Sequence, residues 1–459
     1  MKGHGMITRT LAEFCSSVAV AGVPEFLNEK VKACICDTLH AIILAMPSRT
    51  AYLLQQYLDS SPVSHDQCTM IGYGYNDAER SAFYNACLAA VHEIDDVHYD
   101  TSCHPGAVIV PAVLSASEFA QASPRQMMSA VAAGYEIAIR LCIAMGERHY
   151  HYFHSTATCC TIGAAAASGI VMGLDADSLQ AALGLAATSA SGLWEGITNQ
   201  AVMVKHLHLG QAAERGVRCA RLAQLGWQGA PHALEGEKGF IAALACPNEY
   251  APDERPTREE LEKILTGHLG EKWAIERNIF KSTPFCLGVN EPLEGLRAIL
   301  GQSNVRREQI DKIVVETSPS VAWMVGNRDP HDDCQARFSA PFAMALLLAN
   351  LKPETVPLPI KWLTHPDVQK WISNIQLVGR ADIGRRKAYV NVYFNDGQCL
   401  RADQPLKSLS NQEAIKRFEK VVVESYGESG HELVDILSNL EKTTNLSRLS
   451  AILSRRVCS

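Results

Sequence analysis

Apolar and small residues recur at helical spacing through most of the first 245 positions. The runs AVIVPAVLSA (107–116), TIGAAAASGIVMGL (161–174), DSLQAALGLAATSASGLW (177–194) and GQAAERGVRCARLAQLG (210–226) carry the pattern most clearly. Alanine and glycine at these positions let neighbouring helices approach closely, so the pattern predicts a tightly packed helical core. Asp177 is the expected N-cap of the third run, and Gly173 the expected C-cap of the second. Near residue 246 the pattern breaks. CPNEYAPDERP (246–256) is polar and punctuated by proline, and Thr257 with Glu260 forms a capping box that opens the helix REELEKIL.

Strand-type alternation then appears for the first time, in IDKIVVETS (310–318) and KAYVNVYFNDGQCLRAD (387–403). The second run contains Asn395-Asp396-Gly397, a strong hairpin turn. Between the two lies QARFSAPFAMALLLAN (335–350), read as one helix, and helical patterning returns after residue 411. These signals predict a mostly α protein, an all-helical domain with an inserted smaller α+β lid domain. The expected boundaries are 1–268 for the first part of the helical domain, 269–404 for the lid, and 405–459 for helices that return to the helical domain.

Composition narrows the class. The 459 residues are 47% hydrophobic and 20% charged, with a formal net charge of −7. No lysine or arginine run stands out, which argues against nucleic acid or an anionic membrane as partner. The fifteen cysteines are scattered, without CxxC, as in a chain kept reduced inside the cell. MKGHGMITRTLAEF has no apolar core of a secretory signal, and stretches such as 107–116 fall short of the roughly 20 residues that cross a bilayer. A soluble, cytoplasmic protein is expected, with a mitochondrial location left open for a eukaryotic source.

Four clusters could carry chemistry. EIDDVHYDTSCHPG (93–106) concentrates Glu93, Asp95, Asp96, His98, Asp100 and His104 directly before an apolar helix. These groups cannot share one buried helix face without a large desolvation cost, so they read as a helix-to-loop junction. Pro105-Gly106 would hold His104 rigidly at the mouth of that helix, a good place for proton transfer. In ERHYHYFHS (147–155), His149 and His151 resemble a ligand pair, yet no carboxylate or cysteine follows at the spacing of a zinc helix, so no metal is expected. His154, at the entry to the alanine-rich run, is the better candidate for catalysis or anion binding.

In VKHLHLGQAAERG (204–216), Lys205 and His208 share a helical face, and a partly buried lysine there needs a carboxylate, the protein's own or a substrate's. IFKSTPFC (279–286) supplies Lys281 and Cys286, and Arg337, read as opening the helix ARFSAPF, could bind an anion. Trp194 and Trp323 read as core packing. There is no GxGxxG after a strand, Walker loop, GxSxG elbow or HExxH, so nothing suggests NAD, nucleotide or a serine nucleophile. Histidine, lysine and carboxylate remain, a set suited to moving a proton beside a carboxylate without a cofactor.

The order of these pieces resembles the MmgE/PrpD family of 2-methylcitrate dehydratases, cis-aconitate decarboxylases and iminodisuccinate epimerases. The acidic run ending in HPG, GYEIAIR (134–140), FHSTATCCTIGAAAASGIVMGL (153–174), VKHLHLGQAAERG and KxxPxC (281–286) follow one another as they do there. The resemblance implies a cofactor-free enzyme for small di- or tricarboxylates, usually a homodimer. By position His104, His154, Lys205 and Lys281 match the family's two histidines and two lysines. Asp95 or Asp96 would then orient a histidine, and Glu93, His98, His208, Cys286 and Arg337 would contact substrate. Here Glu93-Ile94-Asp95-Asp96-Val97 stands where the dehydratases carry D-[FY]-[DN]-D-T, and Cys286 where some members have histidine. The implied reaction is first the dehydration of a 2-methylcitrate- or alkylcitrate-like acid. Decarboxylation of a cis-aconitate-like acid comes second and epimerisation of a small dicarboxylate third. The rival from another class is a non-catalytic dimeric scaffold.

Overall fold

Glycine and alanine set how closely the helices of this protein pack. In the computed structural model, which describes residues 6–60, 68–198, 202–245, 256–303 and 305–456, the helices Pro124–Tyr152 and Ser155–Val171 are antiparallel neighbours in sequence and in space. A Cβ added at Gly163 would lie 2.6 Å from the carbonyl oxygen of Gly134, so the two backbones touch where only glycine fits. Every residue of Ser155–Val171 is buried. It packs against Pro124–Tyr152, Met203–Gln224 and Gly106–Ala120 together. A helix enclosed on every side has no polar face to present, which is why its sequence shows alanine rather than amphipathic alternation.

Chain contacts divide the protein into two compact units. The helical unit comprises Met1–Val91, Asp95–Phe280 and Ser410–Ser459; the second comprises His92–Ile94 and Lys281–Leu409. Residues 269–280, read from the sequence as part of the lid, therefore pack with the helices. Within the helical unit the returning helix Asn411–Tyr426 lies on Asn28–Ala45. Pro124–Tyr152 is long and apolar enough to cross a membrane, yet 94% of its apolar window is buried among its neighbours. Short strands occur here that the alternation did not reveal: Cys68–Met70 pairs with Gly74–Asn76, and Val97–His98 pairs antiparallel with Asn278–Lys281.

The second unit is built on a four-stranded sheet in the order Ile375–Gly379, Ile310–Thr317, Tyr389–Phe394, Cys399–Ala402. The first pair is parallel and the others antiparallel. Asn395-Asp396-Gly397 makes the expected turn, with Gly397 at φ +89°. Helices Leu287–Leu300 and Ala340–Leu348 close the core over Ile313, Val315, Val390 and Val392.

Three local expectations are corrected. Asp175, not Asp177, caps the helix Ala176–Ser189, accepting from the Ser178 amide at 2.8 Å. The run 335–350 is two helices, Asp333–Ala336 and Ala340–Leu348, because Ser339 caps the second and Pro341 sits in its first turn. Trp323 is 69% exposed and does not serve core packing. The Thr257–Glu260 capping box forms as read, and Gly173 follows its helix at φ +72°. The polar stretch 246–255 lies outside the described residues.

Candidate active site

The ionisable run enters the structure between two helices, Ala78–Ala89 and Gly106–Ala120, where the backbone turns repeatedly. Glu93 (φ +52°) and Ser102 (φ +59°) both adopt the left-handed conformation. Those turns send successive side chains in different directions, so Glu93, Asp95, Asp96, His98 and His104 are all buried without sharing one face. The run is also divided between the two units. Residues His92–Ile94 belong to the second, and the chain from Asp95 onward to the helical one. Asp100, the remaining acid, stays at the surface in a paired contact with Arg277.

In the helical unit the two adjacent aspartates do different work. The Asp95 carboxylate lies 2.9 Å from His104 Nδ1. The His104 backbone N–H donates to Thr156 Oγ1 at 3.1 Å, tying the dyad to the Ser155 helix. A carboxylate this close to Nδ1 favours the protonated imidazole by charge. Asp96 instead accepts from the Gly106 amide (3.0 Å), the Tyr135 hydroxyl (2.6 Å) and the Asn278 amide (2.6 Å). Burial and the nearby Asp37 charge push its carboxyl up to about 8, against the pull of those donors. Of the two aspartates, Asp95 lies beside His104, and Asp96 is the clamp that seats the turn on its helix.

His154 is the N-cap residue of Ser155–Val171, and its amide donates to Gly192 O at 2.9 Å. Its ring stands 5.2 Å from Trp194 and 5.6 Å from His208, centroid to centroid. Lys205 and His208 lie one turn apart on Met203–Gln224, both buried, as their spacing implied. Burial holds the His154 pKa far below its usual value, helped by the charges of His208 and Lys205; His104 also acts on it. Burial, Arg215 and Lys205 bring His208 down to about 4. Both imidazoles are thus neutral near pH 7, beside a buried ammonium. His104, His154, Lys205 and Asp95 form one electrostatically connected group, and a buried cation facing neutral bases suits a bound carboxylate.

Three other histidines of these motifs meet protein partners. His149 is held at both ring nitrogens, by Leu244 O and Thr158 Oγ1, each at 2.8 Å. His206 meets Thr50 Oγ1 at 3.2 Å, and His98 Nδ1 meets Thr101 Oγ1 at 3.0 Å within its own turn. Burial takes His149 down to about 4 as well. For His149, His154 and His208 the folded pKa lies below the unfolded value of about 6.5, so the unfolded chain binds more protons between those limits. Their contribution to stability is complete above pH 6.5 and is lost as pH falls below it, towards about 4 for His149 and His208. Thermal unfolding should therefore show Tm dropping steadily from pH 7 to pH 5. A His149→Gln variant, which keeps hydrogen-bonding capacity without the titration, should flatten that slope.

In the second unit Lys281 Nζ donates to the Glu93 backbone oxygen at 2.8 Å and to its carboxylate at 3.3 Å. The left-handed turn at Glu93 brings both acceptors to one ammonium. Arg337 does not open a helix; it follows Asp333–Ala336. Its buried guanidinium donates to the backbone oxygens of His92 and Pro284, both at 2.9 Å, and to His92 Nδ1 and the Asp333 carboxylate. With that many protein acceptors it clamps the 92–94 segment, and the sequence-based role of anion binder is not the one its geometry serves. Cys286 is the N-cap residue of Leu287–Leu300, its amide bonded to Arg337 O at 2.9 Å and its thiol 3.9 Å from Met324 Sδ. Thr156, Tyr135 and Asn278 were missed by sequence reasoning. Thr156 and Tyr135 sit inside motifs already singled out, whereas Asn278 carries no local signal.

Residues 9–253 match the model of the MmgE/PrpD N-terminal domain, and residues 284–439 that of the MmgE/PrpD C-terminal domain. The chain belongs to the MmgE/PrpD family. It is 24% identical to cis-aconitate decarboxylase of Homo sapiens, over 97% of this chain and 94% of that protein. Cis-aconitate decarboxylase of Aspergillus terreus is 23% identical over 98% and 96%, and that of Mus musculus 23% over 96% and 93%.

Proposed function

We infer that the protein is a lyase of small polycarboxylates that releases CO2 from a cis-aconitate-like acid without a cofactor. The observation that carries this is the buried His104–Asp95 dyad, 2.9 Å apart and electrostatically joined to His154 and Lys205. Decarboxylation of an unsaturated acid requires that the electrons left by CO2 be accepted by the conjugated carboxylate, and that a proton be delivered to carbon. The Lys205 ammonium offsets the charge that builds on the carboxylate. The His104 imidazolium, stabilised by Asp95, delivers the proton. Relatives named for this activity, aligned along nearly the whole chain, support the choice of substrate.

Dehydration of a citrate-like acid is the second reading, favoured by the neutral imidazole of His154, which could act as base while His104 protonates the leaving hydroxyl. Incubation with cis-aconitate, citrate and 2-methylcitrate, following CO2 and alkene absorbance separately, distinguishes the two. CO2 from cis-aconitate, with no alkene from either citrate, is the expected result. Alkene without CO2 would transfer the assignment to dehydration, and silence with all three acids would remove both.

A further inference from the structure

Trp194 is placed with unusual care for a residue outside the catalytic motifs. Phe153 and Leu193 form an antiparallel bridge, and the Trp194 amide donates to Tyr152 O at 3.0 Å. The His154 amide returns the contact to Gly192. The segment 192–194 is thereby stitched to 152–154, which sets the indole beside the His154 ring, with Tyr150 5.1 Å away. Trp194 is 8% exposed, against 62% for Trp227 and 69% for Trp323.

Its Nε1 is buried and has no hydrogen-bond partner among the described residues; the same holds for Nδ1 of His154 and of His208. Three unsatisfied nitrogens on consecutive packed rings are costly unless something pairs with them. An indole N–H can only donate, so its partner must be an acceptor, and the adjacent Lys205 charge favours an anionic one.

We propose that Trp194 is a substrate-binding, specificity-determining residue: its indole N–H donates to a carboxylate oxygen of the substrate beside His154, and its ring fills the space that an alkyl branch would need. This rests on the polycarboxylate lyase reading and narrows its substrate class to acids without an alkyl branch. An aromatic wall held between Tyr150 and His154 cannot swing aside without breaking the strand-like stitching that positions it.

Two variants separate the donor from the wall. Trp194→Phe keeps a ring and loses the N–H; Trp194→Gln keeps a donor and loses the ring. Citrate affinity by calorimetry and steady-state kinetics with cis-aconitate would be read for each. Trp194→Phe should raise the citrate Kd and the cis-aconitate KM about tenfold, with kcat within about threefold of wild type. Trp194→Gln should recover most of that affinity and also bind 2-methylcitrate, which the wild type should bind at least about tenfold more weakly than citrate. Wild-type affinity in Trp194→Phe, or a Trp194→Gln variant no tighter than Trp194→Phe, would overturn the proposal. A wild-type protein that binds neither acid would instead overturn the lyase reading on which it rests.

Discussion

His104→Ala should lower kcat for polycarboxylate turnover at least about 100-fold, the usual contribution of a positioned proton-transfer group. The loss should appear in kcat more than in KM if, as proposed, the imidazole acts on the reacting carbon while Lys205 holds a carboxylate. Removing the ring also leaves Asp95 buried without its partner, so part of any loss could come from folding. His104→Asn, which retains a polar contact to Asp95, controls for that and should show a comparable kcat deficit at a Tm closer to wild type. Asp95→Asn should fall short of His104→Ala, since it removes the charge that favours the protonated imidazole and leaves the proton carrier in place. The double variant should be no slower than His104→Ala alone, because residues that act as a unit are not additive. Additive losses would mean that Asp95 serves a separate function.

Gly106→Ala should have a large structural effect for a single added methyl. A Cβ there would stand 2.5 Å from Asp96 Oδ1, 2.5 Å from Tyr135 Oη and 2.7 Å from Thr38 Oγ1. All three neighbours are polar groups already committed to hydrogen bonds, so the clash cannot be relieved by a rotamer change at a flexible tip. The clamp on Asp96 would open, and His104, two residues earlier, would lose its position. Overpacking combined with broken buried hydrogen bonds should cost at least about 3 kcal/mol. A fall in Tm and loss of turnover together are expected. Gly384→Ala is the matched control, since a Cβ there meets nothing within 4 Å and no backbone strain is involved; it should change stability by less than about 0.5 kcal/mol.

Much of the fold was legible because the information was local. Small-residue runs announced closely packed helices, Asn395-Asp396-Gly397 announced its hairpin, and Thr257–Glu260 its helix start. The errors arose where two local signals competed. Asp175 and Asp177 both stand at the start of the same helix, and only the path of the backbone selects Asp175 as the cap. In 335–350 the apolar run concealed a second helix start at Ser339, although serine followed two residues later by proline is itself such a signal. Strands of two or three residues, such as Val97–His98, are too short to show any period.

The site was legible as a set of residue types and not as a set of partners. His104, His154, Lys205 and His208 could be picked out from their motifs. The choice of Asp95 rather than Asp96 for His104 depends on which way consecutive side chains point across a turned backbone. The commitment of Lys281 to Glu93 and of Arg337 to His92 spans 188 and 245 positions of chain, beyond the reach of any local pattern.

The decisive measurement is a crystal structure with citrate bound. A citrate carboxylate is expected within hydrogen-bonding distance of Lys205 Nζ, with the imidazoles of His104 and His154 both touching the ligand and Asp95 still beside His104 Nδ1. Citrate seated away from these four side chains, in a protein that turns over cis-aconitate, would contradict it.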